Sequence, residues 1–170
     1  MNEDKIYHSP TLGELSFNDL MKGLIDFMAE DPKRKYDIVI GTDSQERNGN
    51  GNKVADFITA IVIHRVGRGG RYFWKRANEE SLATLRDRIY KEVMFSLDTA
   101  QEFIDNLQKF KLNPNYYIPE YEFEIHVDIG ENGKTRDMIN EVVGMIRGNG
   151  FNAKIKPEAY GATKVADRHT

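Results

Sequence analysis

The order of elements in this chain predicts an α/β domain built on a mixed five-stranded sheet flanked by helices. Three strands form an antiparallel meander and further strands join in parallel. Two observations carry this. Three runs rich in β-branched and aromatic residues follow one another between 36 and 76, separated by Asn/Gly-rich turn signals. Beyond residue 80, segments with helical apolar spacing alternate with short strands, the pattern of helices laid on a sheet. A third observation bears on function: the first apolar run, Ile38-Val39-Ile40-Gly41-Thr42-Asp43-Ser44-Gln45, ends on a carboxylate.

Residues 1–15 read as an arm with turns at Ser9-Pro10 and Leu12-Gly13. A helix starts at Ser16, where Ser16 and Asp19 have near capping-box spacing. Phe17, Leu20, Leu24, Phe27 and Met28 recur at helical spacing, and Pro32 helps to end the helix. The first strand spans 36–43. A polar loop, 46–52, carries Asn-Gly-Asn-Gly, and 54–66 is a second strand. Gly67-Arg68-Gly69-Gly70 turns the chain into a third strand, 71–76.

The longest helix covers 81–110, with Leu82, Leu85, Ile89, Val93, Leu97, Ala100, Ile104 and Leu107 as its apolar stripe. After a link at Asn113-Pro114, a fourth strand occupies 121–129. Tyr121, Phe123, Ile125, Val127 and Ile129 alternate there with Glu122, Glu124, His126 and Asp128. Gly130-Glu131-Asn132-Gly133 turns the chain into a second amphipathic helix, 135–147, closed by Gly148 and Gly150. A short fifth strand at 153–156 and a terminal helix at 162–170 complete the order. With no repeat and no linker, residues 1–170 are expected to form one domain with an extra N-terminal helix.

The 170 residues contain no cysteine, which excludes disulfides, thiolate zinc sites and a cysteine nucleophile. No apolar window approaches a bilayer span, and the polar start lacks a secretory core. A cytoplasmic location is expected. The net charge of −3 argues against bulk electrostatic coating of nucleic acid but permits a local basic surface.

A right-handed crossover through the long helix brings the fourth strand parallel to the first. Asp43 and Asp128 then sit side by side at strand ends. Two such carboxylates repel, and a divalent cation removes the conflict. Oxygen donors without cysteine point to Mg2+ or Mn2+. Asp87, Asp98, Glu102 and Asp105 fall opposite the stripe of the long helix, whereas Glu92 lies within roughly 60° of its centre. Asp167 in the terminal helix is a fourth candidate. The plainer alternatives are a turn role for Asp43, an exposed Glu92 paired with Arg88, and a surface role for Asp167.

The same residues carry a resemblance. Pro10-Thr11-Leu12-Gly13-Glu14-Leu15-Ser16-Phe17, Ile40-Gly41-Thr42-Asp43-Ser44-Gln45, His126-Val127-Asp128-Ile129-Gly130 and Val165-Ala166-Asp167-Arg168-His169-Thr170 resemble the bacterial YkuK-type family of the ribonuclease H-like superfamily. The resemblance covers nearly the whole chain, and the two strand-end motifs are its most specific parts. It implies a ribonuclease H-like sheet and a two-metal phosphodiester hydrolase acting on RNA or DNA. Asp43 would bridge both ions, Asp128, Glu92 and Asp167 would complete the shells, and His169 or His126 would assist proton transfer or product release. The chain departs from ribonuclease H enzymes proper in lacking their basic helical hairpin and in its extra N-terminal helix, so the substrate type is left open.

Residues 64–76 interleave His64, Arg65, Arg68, Arg71, Lys75 and Arg76 with Tyr72, Phe73 and Trp74, a composition suited to phosphates and bases. An ordinary solvated hairpin is the alternative. Lys154, Lys156, Lys164 and Arg168 form a second basic cluster. The runner-up function is a non-catalytic nucleic-acid-binding module on the same fold. An actin-like phosphotransferase would need a glycine-rich turn after Asp43, where Ser44-Gln45-Glu46 stands instead. Neither a Walker lysine loop nor a Gly-x-Ser-x-Gly elbow occurs.

Overall fold

The computed structural model describes residues 6–49, 52–80, 84–159 and 161–170. The expectations at Leu82 and at Asn50-Gly51 lie outside them. In chain order the elements are β1 (Tyr7–Ser9), β2 (Gly13–Leu15), α1 (Phe17–Ala29), β3 (Tyr36–Gly49), β4 (Asn52–Arg65), β5 (Gly70–Glu80), α2 (Leu85–Leu112) and β6 (Tyr121–His126). A 3-10 turn (Arg136–Met138), α3 (Ile139–Gly148), β7 (Asn152–Lys154) and α4 (Ala162–Asp167) follow.

The sheet runs β2-β1-β5-β4-β3-β6-β7. The β3-β4-β5 meander is antiparallel, and β6 and β7 join β3 in parallel. These five strands are the predicted mixed sheet. Two more are added at its edge, because the expected arm is a hairpin. β1 pairs with β2 and meets β5 at His8↔Trp74. Burial of Tyr7 in the main core holds that hairpin down.

The helices divide unequally between the two faces. Leu20, Leu24 and Met28 of α1, Val93, Ala100 and Phe103 of α2, and Val142 and Ile146 of α3 pack on Ile38, Ile40, Ile61, Ile63 and Phe73. This cluster contains most of the apolar burial, the dominant favourable term in folding. The other face has a small cluster, Val39, Ile58 and Ala60 under Ala162 and Ala166 of α4. Helix starts follow their caps: Ser16 Oγ accepts from Asp19 N at 3.1 Å, and Thr84 Oγ1 accepts from Asp87 N at 3.1 Å.

Two boundaries differ from the sequence reading in a way that matters for the site. Asp43 does not end its strand. β3 continues to Gly49 because β4 pairs with it throughout, Asp43 opposite Ile58. What ends is the parallel neighbour: β6 stops at His126, opposite Gly41. Asp128 therefore lies just beyond β6, in a segment still tied to the β7 side by Val127 N to Lys154 O (3.0 Å) and Lys156 N to Ile129 O (2.8 Å). No helix among the described residues is long and apolar enough to cross a membrane.

Candidate metal centre

The site begins with the alternation of β3. Thr42 Oγ1 lies 2.9 Å from both Thr59 Oγ1 and Ser96 Oγ, and Ser44 Oγ donates to Glu92 Oε1 at 2.5 Å. Thr42 and Ser44 thus face α2. Asp43, between them, points to the opposite face, in line with Val39 and Gly41. Gly41 is there because α4 comes close. A Cβ on it would stand 2.9 Å from the His126 carbonyl oxygen and 3.0 Å from Ala162 Cβ. The absent side chain lets α4 settle on β3 and carry Asp167 toward Asp43.

The electrostatics join the four acids. Burial pushes the Asp43 pKa up to about 6. The Ser44 backbone N–H opposes that rise, Asp128 and Asp167 add to it by repulsion, and Arg88 opposes it. Glu92, only 7% exposed, is pushed up to about 8, again chiefly by burial. The Ser44 hydroxyl opposes that shift, Asp43 adds to it, Arg88 opposes it and Asp128 adds to it. Glu92 is therefore not the exposed partner of Arg88, which instead lies 3.8 Å from Glu46. Among the described residues, no ion pair reaches Asp43, Glu92 or Asp167.

Asp128 differs, since its Oδ1 meets Lys156 Nζ at 2.7 Å. Asp167 is exposed at the end of α4. Among the described residues, no three acids or histidines stand close enough to enclose a metal ion. The donor set nevertheless suits a hard divalent cation. It is all oxygen, and two of its members, the buried Glu92 and the half-buried Asp43, stand among like charges with no ion pair to a protein cation among the described residues. The fit is of donor chemistry and field, not of a closed shell.

The histidines sit elsewhere. His169 stacks on Trp74 at 4.3 Å between centroids, as does His8 at 4.4 Å, and the His169 ring also tilts against Tyr72. Its Nε2 is buried without a hydrogen-bond partner, and burial holds its pKa below the usual histidine value, with Arg168, Arg76 and His8 pushing the same way. His126 is buried, with Nε2 3.1 Å from Glu124 Oε2, and burial lowers its pKa against the pull of that carboxylate. The groups acting on Asp43 and Glu92 are other carboxylates, Ser44 and Arg88, not imidazoles.

One group was not foreseen. Asp56, 4% exposed, lies on the same face as Asp43, two pairs further along the β3–β4 ladder, opposite Gln45. Its two oxygens take Arg47 Nη2 at 2.8 Å and Arg76 Nη1 at 3.3 Å. Arg76 Nη2 donates to the His169 carbonyl oxygen at 2.6 Å. Asp56 and Arg76 thereby brace the turn that follows Asp167. The only sequence signal was a lone acid inside the apolar run Val54-Ala55-Asp56-Phe57-Ile58.

The first basic stretch is largely committed to the fold. Arg65 and Arg71 pair with Glu30 and lie over the Phe27 ring, Lys75 lies over Tyr7, and Phe73 is core. Arg68 is exposed. In the second cluster, Lys154 is 3.9 Å from Glu124, while Lys164 and Arg168 are exposed.

Comparison with known proteins agrees with this fold. The family model described as ribonuclease H-like matches residues 19–170. The chain is 33% identical over 175 residues to "Uncharacterized protein YkuK" of Bacillus subtilis (strain 168), an alignment covering all of this chain and 99% of that protein. No solved structure matches. With its mixed sheet, parallel β3–β6 pair and near-complete match, the chain belongs to the ribonuclease H-like family, and within it to the YkuK type.

Proposed function

We propose that this protein is a metal-dependent nuclease hydrolysing phosphodiester bonds of RNA or DNA in the cytoplasm. The observation that carries the reading is that a half-buried Asp43 and a buried Glu92 stand among carboxylates with no ion pair to a protein cation among the described residues. Asp43, Glu92, Asp128 and Asp167 would hold Mg2+ or Mn2+. The chemistry such ions would supply there is activation of a water and stabilisation of the leaving oxygen. The protein's own part is positional. Ser44 fixes the Glu92 carboxyl by its hydrogen bond. Gly41 sets the approach of α4, and Arg76 holds the turn beyond Asp167. In this reading His169 acts by anchoring that turn on Trp74, since its Nε2 is buried away from solvent. His126 supports the start of α4 beside Gly161.

The test starts with Mn2+ and thermal unfolding. An ion present at about 100 times its Kd stabilises by about 2.7 kcal/mol, roughly 5–10 °C in a chain of this size. The wild type should show such a rise and Asp43→Asn should not. A cleavage screen over single-stranded, duplex, hybrid and branched substrates should then give Mn2+-dependent products with the wild type alone. A strongly destabilised Asp43→Asn in a protein indifferent to metal would return Asp43 to a purely structural role within β3.

A second reading has its own support. Asp128 is held by Lys156, and among the described residues no three acids enclose an ion site. That favours a non-catalytic nucleic-acid-binding module. It predicts nucleic-acid affinity that survives Asp43→Asn, with no cleavage by either form.

A further inference from the structure

We infer that Lys156 is a built-in counter-ion that competes with divalent cations for Asp128 and so sets how readily the acidic site is loaded. The inference rests on the metal reading of that site and adds its regulation.

Lys156 is bound to Asp128 by more than chance proximity. Its ammonium lies 2.7 Å from Asp128 Oδ1, within the range of a charge-assisted hydrogen bond. The two residues are delivered together, because Lys156 N donates to Ile129 O at 2.8 Å and so pins the backbone beside the acid. The lysine stem is laid over Gly130. A Cβ at Gly130 would stand 3.1 Å from Lys156 Cβ and 3.7 Å from its Cδ. A larger residue there would push the stem aside.

Asp128 is also the acid through which a local cation can reach the rest of the site, since its charge acts on both Asp43 and Glu92. A lysine on Asp128 partly offsets that repulsion. A divalent ion using Asp128 must displace it, because one carboxylate oxygen cannot serve both at full strength.

The pair is built to open. The Lys156 side chain is 57% exposed and that of Asp128 38%. Exposed ion pairs of this kind are weak enough to exchange. Lys156 also borders an open cavity of about 470 Å3, lined further by Gly130, Asn132, Glu131 and Glu158. The freed ammonium thus has space to turn into, with two other carboxylates on its walls.

The experiment is Mn2+ binding by calorimetry to the full chain, without nucleic acid, for the wild type, Lys156→Gln and Lys156→Arg. Removing the competing charge should tighten Mn2+ binding roughly two- to fivefold, the factor to which an exposed ion pair converts. Lys156→Arg, which keeps the charge, should bind like the wild type. Mn2+ binding that appears only in Lys156→Gln would support the inference in its strongest form. Equal or weaker affinity in Lys156→Gln, with the wild type binding normally, overturns it and leaves the metal reading standing. No Mn2+ binding by any of the three overturns both.

Discussion

Asp43 and Asp56 are neighbours on one face of the sheet, yet the protein treats them in opposite ways. Asp56 is almost wholly buried and fully answered, with an arginine on each oxygen. Asp43 is half-buried and unanswered, with Asp128 and Asp167 raising its proton affinity further. Arginine and lysine are not scarce in this chain, which carries 24 of them. The difference lies in placement. Register sets Arg47 and Arg76 within reach of Asp56, whereas the surroundings of Asp43 supply mainly more carboxylates. A carboxylate serving structure is neutralised from within; one left in like-charged company is suited to a cation from outside.

The largest effect that could break this contrast is expected at Asp56. Asp56→Asn strands two guanidinium groups, and since both are partly exposed the cost should be about 2–3 kcal/mol, below that of a fully buried pair. Urea unfolding checks it. A loss under 0.5 kcal/mol would mean that the arginines are solvated as well without their partner.

Asp43→Asn should move stability the other way in metal-free buffer. The folded Asp43 pKa, about 6, and that of Glu92, about 8, lie above their ordinary values near 4. In that window the folded chain binds more protons than the unfolded one, so stability should fall as pH rises from about 4 to 8. Asp43→Asn should remove part of the fall, a gain of about 1 kcal/mol at pH 8 after allowing for solvent screening. Glu92→Gln should be nearly neutral at pH 6, where Glu92 is already protonated, and stabilising at pH 9. Stability curves across pH measure both, and a wild type that gains stability from pH 5 to 8 would sink the argument.

The smallest expected effect sharpens the contrast by separating the two acids. Arg76→Ala removes the link from Asp56 to the His169 carbonyl and should cost about 1 kcal/mol. Its distinctive sign is faster amide exchange confined to residues 166–170, with the exchange of β3 unaltered. Uniform protection in both forms would mean that α4 packing alone holds the turn.

The sequence already contained much of this. The meander, the parallel return and the acids at 43, 92 and 128 could be read because apolar period and turn residues mark strands and helices locally. The hairpin of β1 and β2 was hidden because two three-residue strands around Ser9-Pro10 and Leu12-Gly13 carry too little pattern to outweigh their turn signals. The extension of β3 past Asp43 was hidden because its residues turn polar there, while the ladder that makes it a strand belongs to β4. Asp56 escaped for a related reason. Its meaning depends on which residues stand opposite in the register, and one chain segment does not state that. Lys156 was visible as a basic residue, but its partner was not, because the tie between 127–129 and 154–156 is tertiary.

The hydrogen atom that stands for a side chain at position 41 acts as a gauge. A side chain there would meet the His126 carbonyl oxygen at 2.9 Å and Ala162 Cβ at 3.0 Å, so its absence sets how near the terminal helix can lie. The gap between two of the charges is therefore governed by a residue that carries none, and a single methyl inserted there would work like a shim, widening the site while leaving every acid in its place along the chain.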